Sequence, residues 1–306
     1  MNPQLKASPP RILDLDGSLT RQTQLKSQAE IVPLRALGPR LRYLCTRANL
    51  RRFAARLQSN ARGQLTFTGS GDFHHLTAEL LKAFQEPLSV VVFDQHPDWD
   101  TTSPWACCGS WVNAALQLPH VQKIVVISAG EEDLGGWHLL RGNMKAVWRG
   151  QLEIYPATWA RSVTVDRTTR VSRCAAQSGG EVRWKTVEKL GWGELMTRVI
   201  AGLPTTRVYV SLDKDCLNQS AAVSNWGAGE LELGDVCAAI ERLRRETEVV
   251  GADVTGEWSG GAPASAGFRA IARADHPKLA RRSPGAAALA RNAATNLRLW
   301  RAFGGE

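Results

Sequence analysis

No stretch of the 306-residue chain approaches the roughly 18 consecutive apolar residues that a membrane-spanning helix needs, and apolar runs such as Val90–Phe93 are far shorter. The opening Met1–Pro10 is polar and proline-bearing, without the apolar core of a secretion signal. Six cysteines (Cys45, Cys107, Cys108, Cys174, Cys216, Cys237) are scattered with no Cys-x-x-Cys pair, which excludes a disulfide scaffold or zinc knuckle. Internal repeats, low-complexity tracts and a domain linker are also missing. These absences lead us to expect a soluble cytoplasmic protein with no membrane partner, folded as one domain over 1–306.

What is present points to a packed enzyme-sized chain. At 43% apolar and 22% charged residues, disorder is excluded. The net charge of +9 sits largely in arginines of Arg47–Arg62 and Arg269–Arg301. No stacking platform or nucleic-acid motif is interleaved with them, so solvated helix faces explain the charge better than nucleic acid does. Short apolar runs alternate with longer amphipathic stretches, the pattern of a three-layer α/β/α fold with a mostly parallel sheet. Strands are expected at Arg11–Asp14, Gln64–Thr68, Leu88–Phe93, Lys123–Ser128, Leu152–Tyr155, Arg207–Leu212 and Glu248–Val254. Helices are expected at Thr46–Gln58, His75–Phe84, Ser110–Leu116, Leu190–Ala201, Glu230–Glu246 and Gly285–Ala302, with Ala157–Trp184 read as an irregular excursion.

Three strings at expected strand ends carry the chemistry. Asp94-Gln95-His96-Pro97-Asp98 follows the apolar run Leu88–Phe93. In extended backbone alternate residues point one way, so Asp94, His96 and Asp98 converge if the chain bends at Pro97. Ser211-Leu212-Asp213-Lys214-Asp215 follows Val208–Val210 and places Asp213 and Asp215 on one side. Two carboxylates at the mouth of a buried strand repel each other unless a cation or proton lies between them. Gly69-Ser70-Gly71-Asp72-Phe73-His74-His75 supplies glycines for close approach and imidazole nitrogens. Open parallel sheets put ligand sites at the carboxyl ends of their strands. Four carboxylates and two imidazoles suit two moderately hard divalent ions, manganese first, and hence a two-metal hydrolase.

These strings resemble the hallmarks of the arginase and agmatinase, or ureohydrolase, family: Gly-Gly-Asp-His, Asp-x-His-x-Asp and Ser-x-Asp-x-Asp, in that order. The resemblance spans roughly Arg11 to Glu257, and Ala36-Leu37-Gly38-Pro39-Arg40 is similar to an early Gly-Pro segment of the family. It implies that His74, Asp94, His96, Asp98, Asp213 and Asp215 hold two Mn2+ ions. It further implies that a bridging hydroxide cleaves a C–N bond of a small guanidino, amidino or formimino substrate. Asp98 would pass the proton, and Glu257, in Asp253-Val254-Thr255-Gly256-Glu257, would hold a cationic substrate nitrogen.

The chain departs from the family at several points. Phe73 is an extra residue, which leaves His74 and His75 as alternative ligands. Cys107-Cys108-Gly109-Ser110-Trp111 has no histidine where the family carries its proton shuttle, and Cys216-Leu217-Asn218-Gln219 replaces an Asp-Pro. The spacing to Glu257 is one residue longer. Trp99, Trp105, Trp111, Trp226 and Trp258 lie near the motifs and either wall the pocket or pack the core. Two other functions compete: a non-catalytic metal-binding member of the family, and a phosphatase, because Asp14-Leu15-Asp16-Gly17-Ser18-Leu19-Thr20 resembles the nucleophile string of haloacid dehalogenase-type phosphatases. Self-association into a homo-oligomer is left open.

Overall fold

The computed structural model describes residues 9–57, 63–159, 161–275 and 284–305. Its main sheet has eight strands, here numbered in chain order: β1 Arg11–Asp14, β2 Glu30–Pro33, β3 Leu65–Phe67, β4 Leu88–Phe93, β5 Val121–Ile127, β6 Leu152–Tyr155, β7 Arg207–Asp213 and β8 Glu248–Thr255. Their spatial order is β2-β1-β3-β8-β7-β4-β5-β6 and every pairing is parallel. The four strands that precede the motif strings, β3, β8, β7 and β4, are therefore contiguous in the middle of the sheet. Leu212 pairs with Phe93, so Asp213 and Asp94 leave the sheet side by side.

Central strands read as continuous apolar runs because helices cover both faces. All six residues of β4, Leu-Ser-Val-Val-Val-Phe, are buried. The helix Leu233–Glu246 buries Leu233, Val236, Ala239, Ile240 and Leu243 at helical spacing, and packs against β8 and the helices Val187–Ala201 and Ala286–Ala302. The helices Thr77–Leu81 and Trp111–Leu116 pack together, the latter also on β5. The architecture is a three-layer α/β/α sandwich. Among the described residues no helix is long and apolar enough to cross a membrane.

The expected strands all form, with ends within two residues of those read from the sequence. The strand β2 escaped notice because it is an exposed edge of four residues ending in Pro33, a residue an edge strand tolerates. The expected helix over Thr46–Gln58 forms as Arg47–Ala54, and Gln58 lies outside the described residues. That over His75–Phe84 forms as a tight 3-10 segment, Gly71–Leu76, running into Thr77–Leu81.

The excursion Ala157–Trp184 is not irregular. It builds a four-stranded antiparallel sheet from Arg161–Val163, Arg170–Val171, Ala175–Ser178 and Glu181–Trp184, with a hairpin turn at Gly179-Gly180. Its strands are only two to four residues long. Period-two alternation, with Ala175, Gln177, Val182 and Trp184 buried, is hard to distinguish from loop sequence over so few positions.

Candidate metal centre

At the carboxyl ends of β3, β7 and β4, two imidazole–carboxylate groups form: His74 with Asp94 and Asp98, and His96 with Asp94 and Asp215. They share Asp94. His74 Nδ1 lies 3.0 Å from Asp94 Oδ2, 3.1 Å from Asp98 Oδ2 and 3.8 Å from Asp213 Oδ2. His96 Nδ1 lies 3.0 Å from Asp215 Oδ2 and 3.6 Å from Asp94 Oδ1. All are buried except His96, whose side chain is 27% exposed and marks the solvent side.

The local backbone builds this convergence. Asp94, Asp213 and Asp215 each take a backbone N–H on one oxygen and present the other inward. Asp94 Oδ1 accepts from His96 N at 2.7 Å, Asp213 Oδ1 from Asp215 N at 3.0 Å, and Asp215 Oδ1 from Gln95 N at 3.3 Å. The bend after Pro97 is made by Asp98 itself, at a left-handed φ of +47°, a conformation unusual for a residue other than glycine. Gly71 is required because a Cβ there would stand 2.7 Å from Asp213 Oδ2.

The donor set fits divalent cations. Asp94 Oδ2 and Asp215 Oδ2 are buried without a hydrogen-bond donor, although an imidazole nitrogen is 3.0 Å from each. Buried carboxylate oxygens left bare in this way are costly unless a positive charge lies between them. Burial, then the charges of Asp215 and Asp94, drives the Asp213 carboxyl far above its usual range. Burial and the Asp94 charge push Asp98 up to about 7. Burial opposes protonation of His74 and His96, but their carboxylate neighbours outweigh it and raise both imidazoles.

Of the paired histidines, His74 faces the cluster. Its Nε2 meets Ser211 Oγ at 2.9 Å, and Ser211 in turn donates to Asp253 Oδ2 at 3.2 Å. His75 turns the other way, with Nε2 3.4 Å from Cys45 Sγ. A 3-10 turn separates successive side chains by about a third of a revolution, which divides the two roles.

Glu257 is not brought into the cluster. Its carboxylate is ion-paired with Lys214 and accepts from Asn296 Nδ2 at 2.7 Å and Asn292 Nδ2 at 3.0 Å. Gly256, at φ +89°, packs its backbone on the Asp213 carboxylate and Lys214, and Glu257 lies against Asn292 and Asn296 of the C-terminal helix.

Tryptophans supply contacts that the motif strings alone did not reveal. Trp111, in the segment without a shuttle histidine, donates to Asp98 Oδ2 at 2.6 Å. Trp226 lies edge-on to His96, 5.5 Å between ring centroids, and donates to Asp72 Oδ1 at 3.1 Å. By contrast, Trp99 packs against Trp184, Trp105 against Phe268, and Trp258 is half-buried. The Asp14 string is engaged elsewhere: Asp14 pairs with Arg35 at 3.0 Å and Asp16 with Arg42 at 3.2 Å.

The fold has counterparts among solved structures. The arginase of Bacillus caldovelox is similar with a TM-score of 0.56 at 17% identity, over 98% of this chain and 99% of that one. The arginase of Bacillus cereus gives 0.54 at 14% identity, over 97% and 99%. The chain has the arginase fold. A hypothetical agmatinase from Burkholderia thailandensis shares it, with a TM-score of 0.52 at 19% identity over 97% of this chain and 87% of that one. An uncharacterized protein of Thermotoga maritima is 25% identical over 247 residues, 80% of this chain and 78% of that protein. No protein-family model matches. At these identities this arginase-fold chain is related to the solved enzymes by architecture, and its chemistry has to be argued from its own residues.

Proposed function

We propose that the chain is a binuclear manganese hydrolase that cleaves a C–N bond of a small guanidino, amidino or formimino compound. The observation that carries this reading is the pair of imidazole–carboxylate groups sharing Asp94 at adjacent strand ends. His74, Asp94, Asp98 and Asp213 would hold one ion; Asp94, His96 and Asp215, with Asp213 between them, the other. Two divalent ions bound there would supply Lewis acidity and acidify a water molecule at neutral pH.

The chain's own groups assign the remaining tasks. Asp98, oriented by the Trp111 N–H on its Oδ2, is the group we assign to pass a proton to the leaving amine. With no histidine in Cys107–Trp111, that proton exchanges with solvent through the His96 side, the more exposed flank of the cluster. Glu257, neutralised by Lys214, offers no free charge to a cationic substrate group as it stands. All six cysteines are free thiols, which supports a reducing, cytoplasmic setting.

Metal analysis of the purified chain, followed by a panel of guanidino, amidino and formimino compounds, tests the proposal. Two manganese ions per chain with release of urea, formamide or ammonia is the expected outcome; phosphate release from phosphoesters with no bound manganese would overturn it. The engaged state of Glu257 favours one second reading, a metal-binding member without turnover. Two bound ions with no activity across the amidino panel would select that reading.

A further inference from the structure

The lysine inside the metal-bearing turn has no part in the chemistry outlined above, yet it is among the most deeply buried charges in the molecule. Lys214 lies between Asp213 and Asp215, and its side chain is 1% exposed. While the two carboxylates turn to the cluster, the Lys214 ammonium runs the other way. It pairs with Glu257, itself 3% exposed, and donates to Asn296 Oδ1 at 3.0 Å. Asn296 donates onward to Glu257 Oε1 at 2.7 Å and to Gln22 Oε1 at 2.8 Å; Asn292 donates to Glu257 Oε2 at 3.0 Å and to Val223 O at 2.8 Å. Asn292 and Asn296 are fully buried and stand one turn apart on the helix Ala286–Ala302. The Glu257 backbone N–H donates to Gly69 O at 2.9 Å, at the start of the loop that carries His74.

We propose that Lys214, locked by Glu257, Asn292 and Asn296, is a positioning residue that fixes the Asp213–Asp215 turn in metal-binding geometry and makes the C-terminal helix part of the site. The physical basis is directional. The turn Lys214–Cys216 is a single 3-10 turn whose one side-chain cap is the Asp213 carboxylate. So short a turn has little rigidity of its own. Two like-charged carboxylates facing one locus tend to rotate it apart. A buried ammonium held by a carboxylate and an amide resists that rotation, because leaving its partners would strand a charge without water. Groups that orient ligands in this way typically change metal affinity by 10- to 100-fold when removed.

The inference rests on the dimetal reading, and Mn2+ alone is the probe. The metal-stripped full chain is titrated with Mn2+ by calorimetry, with circular dichroism reporting the folded fraction. Lys214→Met/Glu257→Gln removes both charges together, so neither is left unpaired. We expect it to fold and to bind Mn2+ at least tenfold more weakly than the wild type. Lys123→Met/Glu153→Gln breaks another buried ion pair, 2.9 Å long between β5 and β6, and should bind Mn2+ within twofold of the wild type. A purely structural role would move both variants alike. If the Lys214/Glu257 variant does not fold, Asn296→Ala, which keeps the ion pair and removes its amide, should still weaken binding several-fold. Wild-type affinity in a folded brace variant, or an equal loss in the remote control, overturns the brace alone. Failure of the wild-type chain to bind Mn2+ overturns the dimetal reading and the brace with it.

Discussion

Trp111 donates its indole N–H to Asp98 Oδ2 at 2.6 Å, and the same ring lies 4.8 Å from that of His74. One tryptophan thus orients a carboxylate and packs against the imidazole 3.1 Å from it. Asp98 turns the chain in a left-handed backbone conformation, and the Trp111 N–H fixes the direction of its Oδ2. Trp111→Phe keeps the ring and removes the donor. We expect Mn2+ affinity to fall by about tenfold with the melting temperature little changed; unaltered affinity would show that Asp98 needs no such partner.

His74 and His75 are adjacent in the chain, but His74 faces the carboxylate cluster and His75 faces Cys45. His74→Ala should lose at least one of two manganese ions, whereas His75→Ala should retain both and lower the melting temperature. The quantity to measure is metal per folded chain. Loss of metal in His75→Ala with retention in His74→Ala would shift the ligand assignment by one residue.

The buried His75 also carries a pH dependence. Burial, followed by the positive charge of His74, lowers its pKa from 6.5 to about 3. Between these values the unfolded chain holds the proton and the native imidazole does not. The contribution to stability is therefore complete above about pH 6.5 and declines as pH falls towards 3, by roughly 1.4 kcal/mol for each pH unit in mid-window. His75→Gln should flatten this slope. Melting temperatures of the two chains would be compared from pH 7 to pH 4, and parallel curves would sink the idea.

Much of the site could be read from strand ends. The runs before Asp94 and Asp213 are apolar and branched, which fixes β4 and β7 nearly to the residue, and the two-residue repeat of a strand accounts for alternate Asp and His side chains facing one cluster. That β3, β8, β7 and β4 lie side by side is a property of sheet order, to which local periodicity is blind. Glu257 illustrates a different limit. The extra residue before it was visible, but where it sends the side chain depends on Gly256 and on Asn292 and Asn296, 35 and 39 positions away. The short antiparallel strands of 161–184 gave too few repeats to be recognised.

The His74 imidazole is presented to the cluster by a chain of hydrogen bonds whose direction can be worked out. Asp253 is acceptor only when ionised, and it receives Thr77 Oγ1 at 2.7 Å and Ser211 Oγ at 3.2 Å. Because Ser211 spends its single proton on Asp253, its oxygen can meet His74 Nε2 at 2.9 Å only as an acceptor. Nε2 must then carry hydrogen, and in the neutral ring the lone pair is left on Nδ1, the atom facing Asp94 and Asp98. Ser211→Ala removes this selection without adding bulk, and should weaken Mn2+ binding by about tenfold, within the range for orienting partners. Ser211→Thr, which keeps the hydroxyl, should restore much of it if the extra methyl is accommodated. Nitrogen-15 shifts of His74 in the metal-loaded chain would report which ring nitrogen bears hydrogen. A protonated Nδ1 in the wild type, or unchanged affinity in Ser211→Ala, would show that the hydroxyl does not set the tautomer.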